Sequence, residues 1–473
     1  MLFNSLTYAL FLPLVFFVYW FLLNRNLKAQ NFFLLIVSYI FYGWWDWRFV
    51  FLLAFSTALD YFSGIFIHES KTHRRKKIWL IISVGINLGF LGFFKYYNFF
   101  IDSFADLLRT LGFQPHFETL NIILPVGISF YTFHGLSYVI DIYYGKIKPT
   151  YNWVNYTLFV CFFPLLVAGP IERATHLLPQ VERPRTFKYS QAMLGIKQIV
   201  WGLFKKIVVA DNCAIIANEI FNNSADQSSG NLIMGAIFFS FQIYGDFSGY
   251  SDIALGSARL LGIELLKNFN FPYLSRSIAE FWRRWHISLN TWFRDYLYIP
   301  LGGSQGGNWM RIRNTFAIFL VSGFWHGANW TFIIWGGLNA LYMMPSMLFK
   351  TNRKNLNVVA ENSIFPNVKE IIQMFTTFLL AAFAWIFFRA ESVGHAISYI
   401  KGIFINNRFE ITQTDPLILI VLLMTIEWFS RKNEVPLEKS QPLYIASFYF
   451  ILCILILFLK PSGQNIEFIY FQF

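Results

Sequence analysis

Long unbroken apolar runs dominate the chain, with no period-2 alternation to suggest strands. They recur near residues 2–23, 31–45, 47–67, 78–94, 120–141, 153–168, 190–210 and 231–250, then near 314–348, 369–388, 416–430 and 442–459. A lipid-facing backbone must satisfy its own hydrogen bonds, so such runs predict helices; one crossing takes about 20 residues. The run at 314–348 is too long for one crossing. It predicts either two helices or one tilted helix with a re-entrant piece. Segment 274–313 breaks the pattern. It holds Arg276, Arg283, Arg284, Arg294, Arg311 and Arg313 among Trp282, Trp285, Trp292, Tyr296, Tyr298 and Trp309. The spacing of Trp282, Trp285 and Trp292 puts them on one helical face, and an arginine-rich aromatic helix suits the headgroup layer. A glycine-rich turn, Pro300 to Gly307, follows. Residues 351–368 read as a loop. There is no repeat and no low-complexity tract, so 1–473 reads as a single all-α transmembrane domain with a tail at 460–473.

Composition agrees with that pattern. Hydrophobic residues make up 56% of the 473, and charged residues 14%, against about 25% in soluble domains. The 57 Phe, 24 Tyr and 16 Trp suit wide interfacial belts. The net charge of +12 sits in short loops between apolar runs, a topology signal that argues against a nucleic-acid surface. The basic stretch Lys71 to Lys77 is placed in the cytoplasm. Counting from it puts both termini outside, with Arg173–Lys188 and Arg431–Lys439 inside. The first run lacks a basic n-region and a small-residue cleavage site, so it is read as a first transmembrane helix. Cys161, Cys213 and Cys453 lie far apart without metal-ligand spacing and read as small core residues.

Two histidines carry the chemical interest. His326 lies in Gly323-Phe324-Trp325-His326-Gly327, inside an apolar run. An ionisable group at membrane depth is a functional candidate by default, and imidazole titrates near working pH. His326 is therefore either a packing histidine or a general base. Gly323 and Gly327 thin the helix and allow a substrate or another backbone to approach. His286, in Phe281-Trp282-Arg283-Arg284-Trp285-His286, is either an interfacial histidine on a basic amphipathic helix, or a partner at the other end of an acyl-donor tunnel or a support for His326. Arg283, Arg284 and Arg294 are either positive-inside anchors or a grip for the phosphates of a nucleotide-bearing donor. Asp246 and Asp252, in Tyr244 to Asp252, read as helix caps, with a polar tunnel lining as the alternative. The tail's Phe468-Ile469-Tyr470-Phe471-Gln472-Phe473 reads as an interface anchor, though Tyr470 is oddly spaced for one.

These blocks resemble the membrane-bound O-acyltransferase (MBOAT) family, in particular its bacterial branch of alginate, peptidoglycan and cellulose O-acetylation proteins and the D-alanyl-teichoic-acid transfer protein. Phe41 to Asp46, Leu124 to Phe133 and Tyr244 to Asp252 share in the likeness. The most specific blocks are Phe281 to Gly303 and Gly323 to Gly327, within 241–340. The resemblance implies a ring of about ten or more transmembrane helices, with short re-entrant helices and a thinned centre, in the inner membrane of a bacterium. It puts His326 at the family's catalytic histidine and His286 at the branch's second one. It makes the C-terminal Phe-x-Tyr-x-x-Phe an acyl-transfer motif with Tyr470 as its tyrosine. It further implies an acetyl-CoA donor, a periplasmic O-acetyltransferase partner and an extracytoplasmic polysaccharide acceptor. A flippase for a lipid-linked sugar is the rival function. It would show internal repeats, and a structural scaffold would leave His326 without a role.

Overall fold

The protein is described here by a computed structural model covering residues 1–114, 120, 122–167, 169–406, 408–461 and 466–469. The described residues form helices and connecting turns, without a strand, and divide into two compact units.

The first unit comprises Met1–Met193 and Ser257–Leu266. Its helices are α1 (Leu6–Phe17), α2 (Leu27–Gly43), α3 (Arg48–Glu69), α4 (His73–Leu91), α5 (Tyr97–Thr110), α6 (Ile128–Tyr143), α7 (Trp153–Cys161), α8 (Phe163–Leu166) and α9 (Ala174–Glu182). A π-helical turn, Gly92–Tyr96, joins α4 to α5, giving one continuous helix over His73–Thr110. The sequence pattern stops this element near 94, because amphipathic α5 does not read as a lipid span. The expected run 120–141 shortens to α6. Leu124 precedes a proline, which disfavours helix, and Gly127 takes φ 75°. The expected run 153–168 breaks at Phe162, whose ψ is 116°, and Pro164 opens α8. The buried Asp60 of α3 accepts from Ser83 Oγ at 2.7 Å and Asn87 Nδ2 at 2.8 Å on α4. A carboxyl in an apolar helix pair needs such partners.

The second unit comprises Leu194–Gly256 and Lys267–Phe473. Helix α10 (Tyr189–Leu203) runs through a π-helical segment, Phe204–Ala210, into α11 (Asp211–Asn222). Helix α12 (Ser229–Leu260) is a single 32-residue helix. This corrects the capping expectation: Asp246 and Asp252 lie inside α12. Gly245 and Gly249 let it meet the π segment closely; a Cβ on Gly249 would lie 2.6 Å from Gly202 O. That is the small-xxx-small packing of membrane helices. Next come α13 (Ile278–Arg284) and α14 (Ile287–Phe293). The one-faced interfacial helix expected across 282–292 is not formed, because His286 adopts φ 44° between α13 and α14. Trp282, Trp285 and Trp292 are all buried.

The run 314–348 becomes an antiparallel pair, α15 (Gly307–His326) and α16 (Trp330–Leu348), turned at Gly327–Asn329 with Asn329 capping α16. Cβ atoms on Gly323 and Gly336 would each lie 2.2 Å from a carbonyl oxygen of the facing helix, Phe332 O and Phe319 O. Of the two approaches expected at Gly323, the structure shows that of another backbone. Helices α17 (Val368–Arg389), α18 (Val393–Ile405), α19 (Pro416–Ser430) and α20 (Pro442–Phe458) complete the unit. Residues 351–367 are irregular, as expected. Arg48–Glu69, His73–Thr110 and Val368–Arg389 are long and apolar enough to cross a membrane, and Leu6–Leu22 and α18 to α20 are shorter apolar helices. Their outward faces are apolar, as Leu443, Phe450, Leu457 and Phe458 of α20 show. Cys453 is on that exposed side, whereas Cys161 and Cys213 are buried.

The α15–α16 contact yields a controlled test. Gly323→Ala and Gly336→Ala overpack a backbone contact and each cost about 1–3 kcal/mol. Gly337→Ala meets nothing nearer than Leu320 Cδ2 at 3.9 Å and leaves stability unchanged or raised. Thermal unfolding of the three purified variants in detergent measures the difference.

Candidate active centre

His326 is the last residue of α15 and is buried. Its ring packs against Trp325 at 4.9 Å, Trp335 of α16 at 5.2 Å and Phe388 of α17 at 5.3 Å between centroids. Trp335 in turn stacks on Trp385 at 5.6 Å. Three helices thus build an aromatic cradle around one imidazole.

His286 is held differently. Its left-handed conformation turns the ring back onto Asn268, whose Oδ1 lies 3.0 Å from Nδ1. The same Oδ1 accepts from Ser288 Oγ at 2.8 Å and Ser288 N at 3.4 Å. Three donors converge on one carbonyl oxygen, which orients the amide and requires that Nδ1 carry the proton. Nε2 is then the basic nitrogen, and it is buried without a hydrogen-bond partner among the described residues. The ring packs on Phe247 of α12 at 4.6 Å and on Trp325 at 6.2 Å. One indole therefore touches both histidines, and the structure brings His286 and His326 together, forty positions apart in sequence. Asn268 also borders a small polar cavity of about 20 Å³ lined by Lys205, Lys267, Asp252, Tyr244 and Glu427, among others.

The tail reaches the same neighbourhood. Phe468 is fully buried, stacked on Tyr250 at 4.3 Å and 6.3 Å from Phe247. The Ile469 N–H donates to Asp246 Oδ2 at 2.7 Å. Phe247 thus packs against both Phe468 and His286. Tyr470 lies outside the described residues.

The three arginines do not converge. Arg283 donates to the carbonyls of Asn352 at 2.5 Å and Asn355 at 2.7 Å. Arg284 pairs with buried Glu280 at 2.8 Å and donates to Asn357 O at 3.2 Å. Arg276 joins it on Glu280 and Asn357. Together they fasten the irregular 351–367 segment. Arg294 is exposed and pairs with its neighbour Asp295 at 2.8 Å.

Among the described residues, the acids of α12 pair with lysines, and none with an arginine of 276–294. Lys205 Nζ lies 2.5 Å from Asp252; Lys206 Nζ lies 2.8 Å from Asp246 and 2.7 Å from Asp211. Sequence reasoning missed both lysines, which sit in the apolar run 190–210. Two consecutive cations in such a run, with Asp246 and Asp252 in a neighbouring one, were the available signal. Glu427 of α19 was missed as well; it accepts from Tyr244 Oη at 2.5 Å.

Residues 146–387 match the profile of the MBOAT, membrane-bound O-acyltransferase family. The chain is 37% identical to a Pseudomonas aeruginosa protein named "Probable alginate O-acetylase AlgI", over 93% of this chain and 84% of that one. It is 33% identical to a peptidoglycan O-acetyltransferase of Helicobacter pylori, over 100% of this chain and 98% of that one. A teichoic acid D-alanyltransferase of Bacillus subtilis is 28% identical, over 60% of this chain and 73% of that one.

The bond between Asn268 and His286 gives a direct test. Nitrogen-15 NMR of histidine-labelled protein should show His286 as the neutral Nδ1–H tautomer. Asn268→Ala should mix the tautomers. A dominant Nε2–H signal in the unsubstituted protein would contradict the assignment.

Proposed function

The chain belongs to the membrane-bound O-acyltransferase family and is an O-acyltransferase; on that premise we propose that it moves an acetyl group from a cytoplasmic thioester, acetyl-CoA, to the far side of the inner membrane, for O-acetylation of a polysaccharide. The observation that carries this reading is the contact path His326–Trp325–His286–Phe247–Phe468. It links the two histidines to the tail that bears Tyr470. Tyr470 follows Phe468 by two residues, a reach of about 7 Å in extended chain.

In the proposed step, the Tyr470 phenol oxygen attacks the thioester carbonyl. His326 takes the phenol proton. The carbon–sulfur bond breaks, an aryl ester forms, and the proton passes to the departing thiolate. His286 orients the acceptor hydroxyl through Nε2. A polymer hydroxyl, presented by a periplasmic O-acetyltransferase, then displaces the phenol, a good leaving group with an unperturbed pKa near ~10. CoA does not cross the bilayer in this scheme; an acetyl group on a tethered tyrosine does. The acceptor classes are those named for the relatives, alginate and peptidoglycan, with cellulose the further one from the family likeness. Exposed Arg294, unlike Arg283 and Arg284, does not fasten the 351–367 segment, and the donor's phosphates are assigned to it on that ground.

His326→Ala should abolish acetyl transfer from radiolabelled acetyl-CoA in proteoliposomes, with little change in unfolding temperature. Full transfer by the stable variant would overturn the assignment. Tyr470→Phe keeps the ring but loses the nucleophile. Cells carrying it should lose polymer acetylation, and the C-terminal peptide of the unsubstituted protein should carry an acetyl group when the periplasmic partner is absent. The arginines should divide. Arg294→Ala should raise the apparent KM for acetyl-CoA. Arg284→Ala should lower stability, because it leaves Glu280 with one cation fewer in a buried site.

A further inference from the structure

Tail docking involves a buried ionic cluster that the transfer step itself does not use. Asp246 divides its two oxygens: Oδ1 lies 2.8 Å from Lys206 Nζ, and Oδ2 accepts the Ile469 N–H at 2.7 Å. Lys206 also meets Asp211 at 2.7 Å, and all three side chains are buried or nearly so. Asp246 thus keeps Oδ2 for the incoming N–H while Oδ1 faces Lys206, and a hydrogen bond to a charged acceptor is the stronger kind. Tyr250 stands one turn beyond Asp246 on the same face of α12. Its ring stacks on Phe468 at an interplanar angle of 21°, and Lys206 Nζ lies 5.8 Å from the other partner of that stack, the Tyr250 ring itself. The segment is also tied upstream, where Asn212 Nδ2 donates to Leu459 O at 2.9 Å.

We propose that Asp246, with Lys206 and Tyr250, is the docking site for the 466–469 segment and positions the tyrosine that follows it. Asp246 receives the backbone, Tyr250 receives the ring, and Lys206 holds the Asp246 carboxylate in a single orientation. Asp246 and Lys206 are positioning residues. Their bearing on acetyl transfer rests on the carrier reading of Tyr470; their hold on the tail does not.

The test uses the full chain with Cys453→Ser and Ile469→Cys, so that the accessible thiol is at position 469; Cys161 and Cys213 are buried. Maleimide labelling should be slow in this parent and about tenfold faster after Asp246→Ala, as loss of a charged hydrogen bond implies. Tyr250→Leu provides a second route to the same result if Asp246→Ala does not fold, and thermal unfolding confirms the fold of each variant. Equal labelling rates in the parent and in folded Asp246→Ala and Tyr250→Leu would overturn the proposal. So would a parent that labels as fast as a Glu467→Cys control, since Glu467 is exposed. Polymer acetylation in cells separates the two readings. A tail freed by Asp246→Ala with acetylation intact would uphold the docking site and remove Tyr470 as carrier. A freed tail with acetylation lost would uphold both.

Discussion

A charge inside an apolar helical unit must be paired where it stands, and the second unit is arranged around that requirement. Removing an ion from water costs several kcal/mol, which a partner at hydrogen-bond distance has to offset. Lys205 and Lys206 are consecutive, so a regular helix would spread them by about 100°. They lie in the π-helical stretch Phe204–Ala210, where the wider turn and the Gly245 and Gly249 contacts bring both to α12. The single 32-residue length of α12 follows from the same need, since it keeps Asp246 and Asp252 on one rigid element opposite them. Glu280 plays the corresponding part in the α13 region, drawing Arg276 and Arg284 inward so that they hold residues 351–367. Local π-helix is frequent at functional sites; here its effect is to set an ionic pair one turn from the rings that lead to His286.

The two histidines have different surroundings, and that divides their chemistry. His326 ends a helix and is walled by Trp325, Trp335 and Phe388. His286 is bound through Nδ1 to an amide oxygen already shared with Ser288, which keeps its tautomer fixed. Asn268 therefore has two duties, wall of the polar cavity and holder of His286. Its position in the short loop after α12 and its capture of Ser288 fix the sharp turn at His286. The left-handed φ of a non-glycine residue costs about 1–2 kcal/mol, and the hydrogen bonds to Asn268 are what offset it.

The sequence showed the apolar framework well and the polar interior poorly. Helices that face lipid on one side announce themselves by composition alone, and the length of 314–348 excluded a single crossing while leaving a helix pair and a tilted helix with a re-entrant piece both open. His326 stood out as a candidate because an ionisable group in an apolar run is costly unless it has a partner or a task, and the glycines beside it allowed either a substrate or another backbone to approach. Lys205 and Lys206 were not legible, since two lysines near the end of an apolar run look like membrane-edge anchors. Asp211 is five residues from Lys206, but Asp246 and Asp252 are forty or more away, at a separation that no helical period encodes. Asp246 and Asp252 were misread as caps because nearby glycines suggest a helix end; in the fold those glycines serve close packing within one helix. Trp282, Trp285 and Trp292 share a face only if the helix is continuous, and a single residue in left-handed conformation cancels that inference.

A tethered carrier must bind well enough to be positioned and weakly enough to leave. In the proposed relay the tail visits the histidines, then presents its ester to a partner on the outer side. Covalent attachment to α20 supplies a high local concentration, so strong intrinsic affinity is unnecessary. Burying Phe468 and Ile469 contributes about 1.5–3 kcal/mol each, and the bond to Asp246 adds to that. Ordering the segment opposes it, at about 1–2 kcal/mol per residue of backbone. Over the four residues 466–469 these terms are of similar size, which places docking near balance. A bound state near balance is what a turnover device needs. It also accounts for an ionic cluster, and not a larger apolar pocket, serving as the latch: a hydrogen bond to a carboxylate specifies one register along the tail, whereas apolar burial alone would tolerate several. A register slip of one residue would carry the segment about 3.5 Å along its site, enough to lose the hydrogen bond to Asp246.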